Sequence, residues 1–441
     1  MPAVEFTPIA EIDCAPDAAV YAEGWQSWSP TRWLPAAGTG PQPDGPHRAA
    51  MRFRTDCPPP PVGFQAEGLL VIDPGAGQPV QRFAASTADA GVPTLRAHLE
   101  RRRLHVEADA ASLDLIGHAE AETRHHALAG FGAAFAAAAG VEAIRPAPTV
   151  WCSWYQYFED VSPADIEENL AALRGEELPV EVVQIDDGWQ RELGDWTPNP
   201  RFADLGGLAG TIIGSGKRAG IWLAPFIATR SSRLAAEHPD WLVGDAGYNW
   251  GSELAGLDLT RDDVREHLRS SLQRLVDLGF DYFKLDFLYG GALTRKSADP
   301  RGVSAYRSGL QVIRDAVGPR AYIVGCGAPL LPSVGVVDAM RVSSDTFHLD
   351  GQDGSAGLGG EDAVRARAWQ HGRLWTNDAD CLVLRPSFPL REQWAGIVDR
   401  VGGLRSFSDR IDDLDDWGRR TARNLLGNPP APAPFPEREP Q

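Results

Sequence analysis

Eight times between residues 150 and 408 an apolar run of strand length gives way to a stretch of helical period. The runs are 150–157, 180–186, 219–226, 282–287, 321–326, 340–345, 374–378 with its continuation, and 403–408. Repeated strand then helix implies a parallel sheet covered by helices, which leaves an open doubly wound sheet or a closed barrel. No GxGxxG follows a strand and no GxxxxGK[ST] occurs, so the nucleotide-binding form of the open sheet lacks its phosphate cradle. The expected fold is therefore α/β, a (β/α)8 TIM barrel. Such a barrel takes about 250 residues, and the stretch 149–427 accommodates it.

Local signals support the helical gaps. Ser162-Pro163-Ala164-Asp165 reads as an N-cap with proline in the first turn, and Thr260-Arg261-Asp262-Asp263 places acidic residues at a helix start. Leu268, Leu272, Leu275 and Leu278 then recur at the spacing of one buried face. Ahead of the barrel, residues 1–148 read as a smaller β-rich, sandwich-like domain. Its apolar runs are short, Pro and Gly punctuate them, and Leu104 to Ala108 alternates with period two. An alanine-rich helix over 127–139 ends at Arg145-Pro146-Ala147-Pro148, the expected boundary. Residues 428–441 carry too much proline for a packed element and read as a disordered tail.

Charge narrows the function classes. Lys+Arg is 42 against Asp+Glu 60, a formal net charge of -18, which works against binding nucleic acid or an anionic bilayer. No apolar run reaches the ~18 residues of a spanning helix, and the first twenty residues lack the pattern of a signal peptide, so the cytoplasm is the expected location. Five cysteines at wide spacing, with no CxxC pair, indicate neither a disulfide framework nor a metal site, and no cofactor motif is present. Fourteen tryptophans are a heavy loading, and stacking on the apolar face of a sugar is one use for such rings.

A barrel of this kind does its chemistry at the carboxyl ends of its strands, and carboxylates collect there. The second run ends on Asp186-Asp187-Gly188-Trp189, the fourth carries Lys284 and Asp286, and the sixth carries Arg341, Ser343 and Asp345. Residues two apart on a strand share a face. Lys284 therefore should sit beside Asp286 and keep it ionised. Arg341 should face the same way as Asp345, an awkward neighbour for an acid unless it turns to substrate or to another carboxylate. Two aspartates across one barrel mouth are the equipment of a retaining glycosidase.

Seven segments, in order, resemble the melibiases, the α-galactosidases of glycoside hydrolase family 36. They are Gly24-Trp25-Gln26-Ser27-Trp28-Ser29, Trp151-Cys152-Ser153-Trp154-Tyr155, Gln184-Ile185-Asp186-Asp187-Gly188-Trp189, Gly220-Ile221-Trp222-Leu223-Ala224-Pro225-Phe226, His238-Pro239-Asp240-Trp241, Tyr282-Phe283-Lys284-Leu285-Asp286-Phe287 and Met340-Arg341-Val342-Ser343-Ser344-Asp345-Thr346. The resemblance implies a retaining hydrolase for terminal α-linked galactose, with Asp286 as nucleophile and Asp345 as acid/base. It implies that Asp186, Asp187, Lys284 and Arg341 hold the sugar, that Cys326 lines the pocket, and that Trp25 reaches in from the amino-terminal module. Trp151, Trp189 and Trp222 are further candidates for contact with the sugar. The expected partner is a small carbohydrate, and the resemblance admits a homo-oligomer. Alternatives are a transglycosylase of the raffinose synthase kind, an enzyme for another α-linked sugar, and a non-catalytic sugar-binding relative. The glycine-rich stretch 351–360 is expected to shape the leaving-group site, with His348 a solvent-exposed loop residue. Asp378 and Asp380 are read as structural.

Overall fold

The computed structural model describes residues 4–43, 45–88, 91–249, 251–293, 301–346 and 358–436. Eight parallel strands form one curled sheet: β1 Val150–Cys152, β2 Val182–Ile185, β3 Arg218–Leu223, β4 Phe280–Leu285, β5 Tyr322–Gly325, β6 Ala339–Arg341, β7 Thr376–Asp378 and β8 Ser406–Phe407. Their order, β7-β6-β5-β4-β3-β2-β1-β8, makes every chain neighbour but one a spatial neighbour. Leu382, just beyond β7, bridges Phe407 of β8 in parallel, and its N–H donates to the Ser406 carbonyl at 2.8 Å. That bond joins the two sheet edges into the TIM barrel, so no edge is left to pair with another chain.

All eight runs contain a strand, seven of them shorter than the apolar segment and the fourth equal in length but shifted two residues toward the amino terminus. The run 150–157 is strand only to Cys152, because Ser153 turns the chain into a short helix, Trp154–Tyr157. The fourth run stops at Leu285 and the sixth at Arg341, so Asp286 and Asp345 lie in the loops beyond. Among the helices, Ser162 and Asp165 form a reciprocal capping box with Pro163 in the first turn. Helix Asp262–Asp277 buries Leu268, Leu272 and Leu275, but Leu278 is 38% exposed. It follows the last helical residue and so leaves the buried face.

The amino-terminal module is two antiparallel sheets face to face. One orders Phe6–Asp13, Arg103–Asp109, Thr94–Glu100 and Phe64–Glu67; the other orders Trp33–Pro35, Ala19–Ala22, Leu69–Asp73, Val80–Ala85 and Ile116–Ala121. Leu70 and Ile72 point between the sheets, whereas Leu69 and Val71 point outward under helix Arg124–Ala138 and join the barrel's core. Burial on both faces explains why this strand is a continuous apolar run without alternation. At the other end of the chain, Phe435 stacks on His371 at 4.1 Å between centroids, and His371 Nε2 lies 3.2 Å from the Ala431 carbonyl. Residues 437–441 of the proline-rich tail lie outside the described residues.

A buried ion pair joins the two parts. Arg367, fully buried, contacts Glu23 Oε1 through Nε and Nη2 at 2.9 and 2.8 Å. Its remaining N–H groups donate to the carbonyls of Ser27, Ser29 and Val342. The segment around Trp28 is thereby tied to the loop that follows β6. No described helix is long and apolar enough to cross a membrane.

Candidate active site

The strand ends of the barrel open into a cavity of about 280 Å³ whose wall includes Asp186, Asp187, Lys284, Asp286 and Asp345. This is close to the lower end of the ~300–1,000 Å³ of small-molecule sites, enough for one or two sugar rings.

Asp186 anchors the floor. Its Oδ2 accepts from Gln184 Nε2, from Lys284 Nζ at 3.1 Å and from Cys152 Sγ at 3.3 Å, while Oδ1 accepts from the Asp187 backbone N–H. Lys284 therefore ion-pairs with Asp186 and not, as strand alternation suggested, with Asp286. The reason is local. β4 ends at Leu285, so period-two geometry does not extend to Asp286, and the next residue, Phe287, is already left-handed at φ 49. Asp286 instead turns its oxygens to two neutral donors, the Trp222 indole Nε1–H at 3.0 Å and the Phe287 backbone N–H at 2.8 Å.

Asp187 differs from its neighbour. Burial pushes its carboxyl up to about 7, Asp186 and Glu159 add to the rise, and the Gln190 amide opposes it. The folded state thus favours the protonated form. The associated stability is fully present below the ordinary value of 3.8 and is lost as pH rises through about 7. Asp187→Asn is accordingly expected to raise Tm at pH 8, and to raise it less at pH 5, where only part of that stability has been lost. Scanning calorimetry at the two pH values checks this; an equal shift at both would contradict it.

Asp345 is 27% exposed and opens on the cavity. Burial raises its pKa, the nearby Asp380 raises it further, and Arg341 and Lys284 pull it down, with a net shift upward. Arg341 reaches Asp345 at 3.0 Å but also Asp380 at 2.8 Å and Asp378 at 3.3 Å, and is itself 2% exposed. It is not part of the cavity wall. The arginine at the acid thus does turn to other carboxylates, and they are the two read as structural.

The wall was only partly legible. Trp222 lines it, but Trp151 and Trp189 are fully buried, donating their indole N–H to the carbonyls of Asp409 and Trp222. Cys326 is also fully buried, outside the wall, although close enough for its thiol to feel the charge of Asp286. From the amino-terminal module, Trp28 and not Trp25 enters the cavity; Trp25 lies under the Arg54 guanidinium, 5.2 Å from its ring centroid. The Ser27 N–H donates to the Ala328 carbonyl and the Leu330 N–H to the Trp25 carbonyl, which registers this segment on the loop after β5. Trp28 then packs edge-on against Phe287, 5.0 Å between centroids. Gly327, φ 54, passes beneath; a Cβ there would sit 3.1 Å from the Trp28 ring.

Sequence reasoning missed Arg48, Met51 and Arg52 of helix Pro46–Arg52, Trp154, Ser344, and Tyr248 and Asn249 of the hairpin Leu242–Asn249 and Ser252–Leu257. Gly45-Pro46 is a readable helix start, yet nothing local says that the helix lies over a barrel mouth. Two buried donors of the wall, Trp28 Nε1 and Asn249 Nδ2, have no acceptor among the described residues. Their hydrogen-bonding capacity is open to a ligand. His348 and residues 351–357 of the glycine-rich stretch lie outside the described residues. Among the described residues no group of three His, Cys, Asp or Glu is placed to hold a metal ion.

Residues 142–300 match the melibiase family model. Over 154 residues the chain is 30% identical to α-galactosidase AgaA of Geobacillus stearothermophilus, an alignment covering 32% of this chain and 21% of that one; α-galactosidase 2 of Pediococcus pentosaceus matches at 29% with the same coverage. The chain thus aligns with about a fifth of the length of these curated relatives. In three dimensions it is similar to an α-galactosidase from Thermus thermophilus in complex with p-nitrophenyl α-D-galactopyranoside. The TM-score is 0.77 at 27% identity, covering 97% of this chain and 90% of that one. The crystal structure of AgaA shares the fold, with a TM-score of 0.64 at 15% identity, covering 95% of this chain and 61% of that one. The barrel, the sandwich module and the ordered motifs agree in making the chain similar to the melibiases, the α-galactosidases of glycoside hydrolase family 36, whose family model residues 142–300 match.

Proposed function

We propose that this protein is a retaining α-galactosidase that removes a terminal α-linked galactose from a small carbohydrate by double displacement. The observation that carries the reading is the contrast between two carboxyls on one cavity: Asp286 is held by two hydrogen-bond donors, whereas Asp345 has its proton affinity raised by burial and by Asp380. Paired carboxyls with environments that push them apart are the mark of a nucleophile and a general acid.

In this mechanism Asp286 attacks the anomeric carbon while Asp345 protonates the departing oxygen. A covalent glycosyl-enzyme forms, and water deprotonated by Asp345 then releases galactose with its configuration retained. Asp186, Asp187 and Lys284 face hydroxyls of the sugar from the floor, and the Trp28 and Asn249 donors face it from the outer wall. The relative from Thermus thermophilus, solved with an aryl α-galactoside, supports galactose as the ring.

Proton NMR of p-nitrophenyl α-galactoside hydrolysis is the test. The α-anomer of galactose should appear first; the β-anomer first would overturn retention, and no release of galactose would overturn the activity. Asp345→Ala should lose about 10²–10⁴-fold on alkyl galactosides, which need the acid, and much less in forming the glycosyl-enzyme from a 2,4-dinitrophenyl galactoside, which does not. Equal losses on both, read as single-turnover release of the leaving group, would remove Asp345 from that role.

A further inference from the structure

Arg341 poses a problem for any acid at Asp345, because a guanidinium 3.0 Å away stabilises the carboxylate. Its surroundings resolve the problem. The Arg341 side chain meets three carboxyls: Asp345 through Nη1, Asp380 through Nη2 at 2.8 Å and Asp378 through Nε at 3.3 Å. One positive charge cannot balance three anions, so the cluster favours keeping a proton on one of them.

The hydrogen bonds decide which. Asp380 is fully buried, and its Oδ2 accepts from the Tyr155 hydroxyl and from both the N–H and hydroxyl of Thr346, each at 2.9 Å. Its Oδ1 accepts from the Cys381 N–H at 2.6 Å and faces Arg341. These donors and Arg341 occupy both oxygens of Asp380, which is not placed to pass a proton to a bound molecule. Asp378 accepts from the Asp380 N–H and from Arg341. Asp345 has the Arg341 bond, opens on the cavity, and is the member of the three that can exchange its proton with a bound molecule.

The backbone carries the same message. Asp380 sits at φ 103, a region that residues other than glycine rarely adopt. Such strain costs about 1–3 kcal/mol and persists where the surroundings over-determine it. Here the donors on its carboxylate do so, and two of them belong to Thr346, the residue after Asp345. Asp380 therefore governs both the charge beside Asp345 and the position of the chain that bears it.

We propose that Asp380 is a positioning residue of the reaction: by occupying the charge of Arg341 and adding its own negative charge, it keeps the acid proton on Asp345. The inference rests on the retaining α-galactosidase reading and deepens it. The other ionisable groups around Asp345 are Lys284 and Asp286 from the end of β4, Cys326 from the end of β5 and Tyr155 from the end of β1. Asp186, Asp187, Arg48 and Arg52 complete the charged part of the cavity wall. Lys284 is engaged by Asp186, and Arg341 contacts Asp345 at 3.0 Å.

The test is Asp380→Asn in the full chain. It removes one anion while retaining the volume, so Arg341 turns its full effect on Asp345. The alkaline limb of kcat/KM for an aryl α-galactoside should move down by about one pH unit or more, the range of a charge at contact distance. Asp380→Glu should restore part of the shift. A purely structural role would lower the rate across the whole pH range and leave the limb in place, which would overturn the proposal. Asp378→Asn, on the opposite side of the same guanidinium, should move the limb in the same direction and serves if Asp380→Asn fails to fold by circular dichroism. Carbon-13 NMR titration of labelled aspartate, with Asp345 assigned from Asp345→Asn, reads the same shift without turnover. An unmoved titration in a folded variant overturns the proposal, whereas a moved titration in a protein that does not hydrolyse galactosides overturns only the proposed function.

Discussion

Asp286→Gly is expected to lower turnover of an aryl α-galactoside by about 10⁴-fold or more, because it removes the carboxylate proposed to attack the anomeric carbon. The fold should survive. Asp286 accepts from the Trp222 indole and the Phe287 N–H at the open end of the barrel, where water can replace the carboxylate. The vacated space lies on the cavity, so external azide should enter it and restore release of the aryl group. The product should be β-configured galactosyl azide, since azide attacks from the face the carboxylate used. Retained activity in the glycine variant would remove Asp286 as nucleophile, and an α-configured azide would place the attacking group on the other face.

The second large effect concerns the join between the two parts of the chain. Arg367→Met should destabilise the protein by about 3–5 kcal/mol, the cost of leaving a buried charge without its partner. Glu23, 1% exposed, would keep only the Tyr21 hydroxyl, the Gly24 N–H and the Gln370 amide. The carbonyls of Ser27, Ser29 and Val342 would each lose a donor. Because Ser27 and Ser29 flank Trp28, KM should rise even where the variant is folded, as the outer wall of the cavity loosens. Chemical denaturation and steady-state kinetics together check this. A variant with wild-type stability would show that the ion pair is not the clasp between module and barrel; a destabilised variant with unchanged KM would show that Trp28 is held by other contacts.

The barrel was legible because its evidence is local. Strand-length apolar runs and helical periods are set by neighbours along the chain, and the start signal at Ser162-Pro163 and the stop signal at Arg145-Pro146 act within a few residues. The acidic residues of the floor were legible for a related reason, since a parallel barrel sends the ends of its strands to one mouth. What misled was extending strand alternation past the strand. Beyond Leu285 and Arg341 the backbone turns, as the left-handed Phe287 records, and side-chain direction is then decided by what lies across the cavity. Lys284 went to Asp186, and Arg341 went to Asp378 and Asp380 as well as to Asp345.

By itself the sequence determined the strand count, the β-rich module ahead of the barrel, and the resemblance to the melibiases. The tertiary structure alone decided which tryptophan of the amino-terminal module enters the cavity, that helix Pro46–Arg52 and the Leu242–Asn249 hairpin build its outer wall, and which charges neutralise which. The physical reason is range. Periodicity and turn chemistry act between residues a few positions apart, whereas an ion pair such as Arg367 with Glu23, or the carboxylates gathered around Arg341, depends on burial and on distances between segments far apart along the chain.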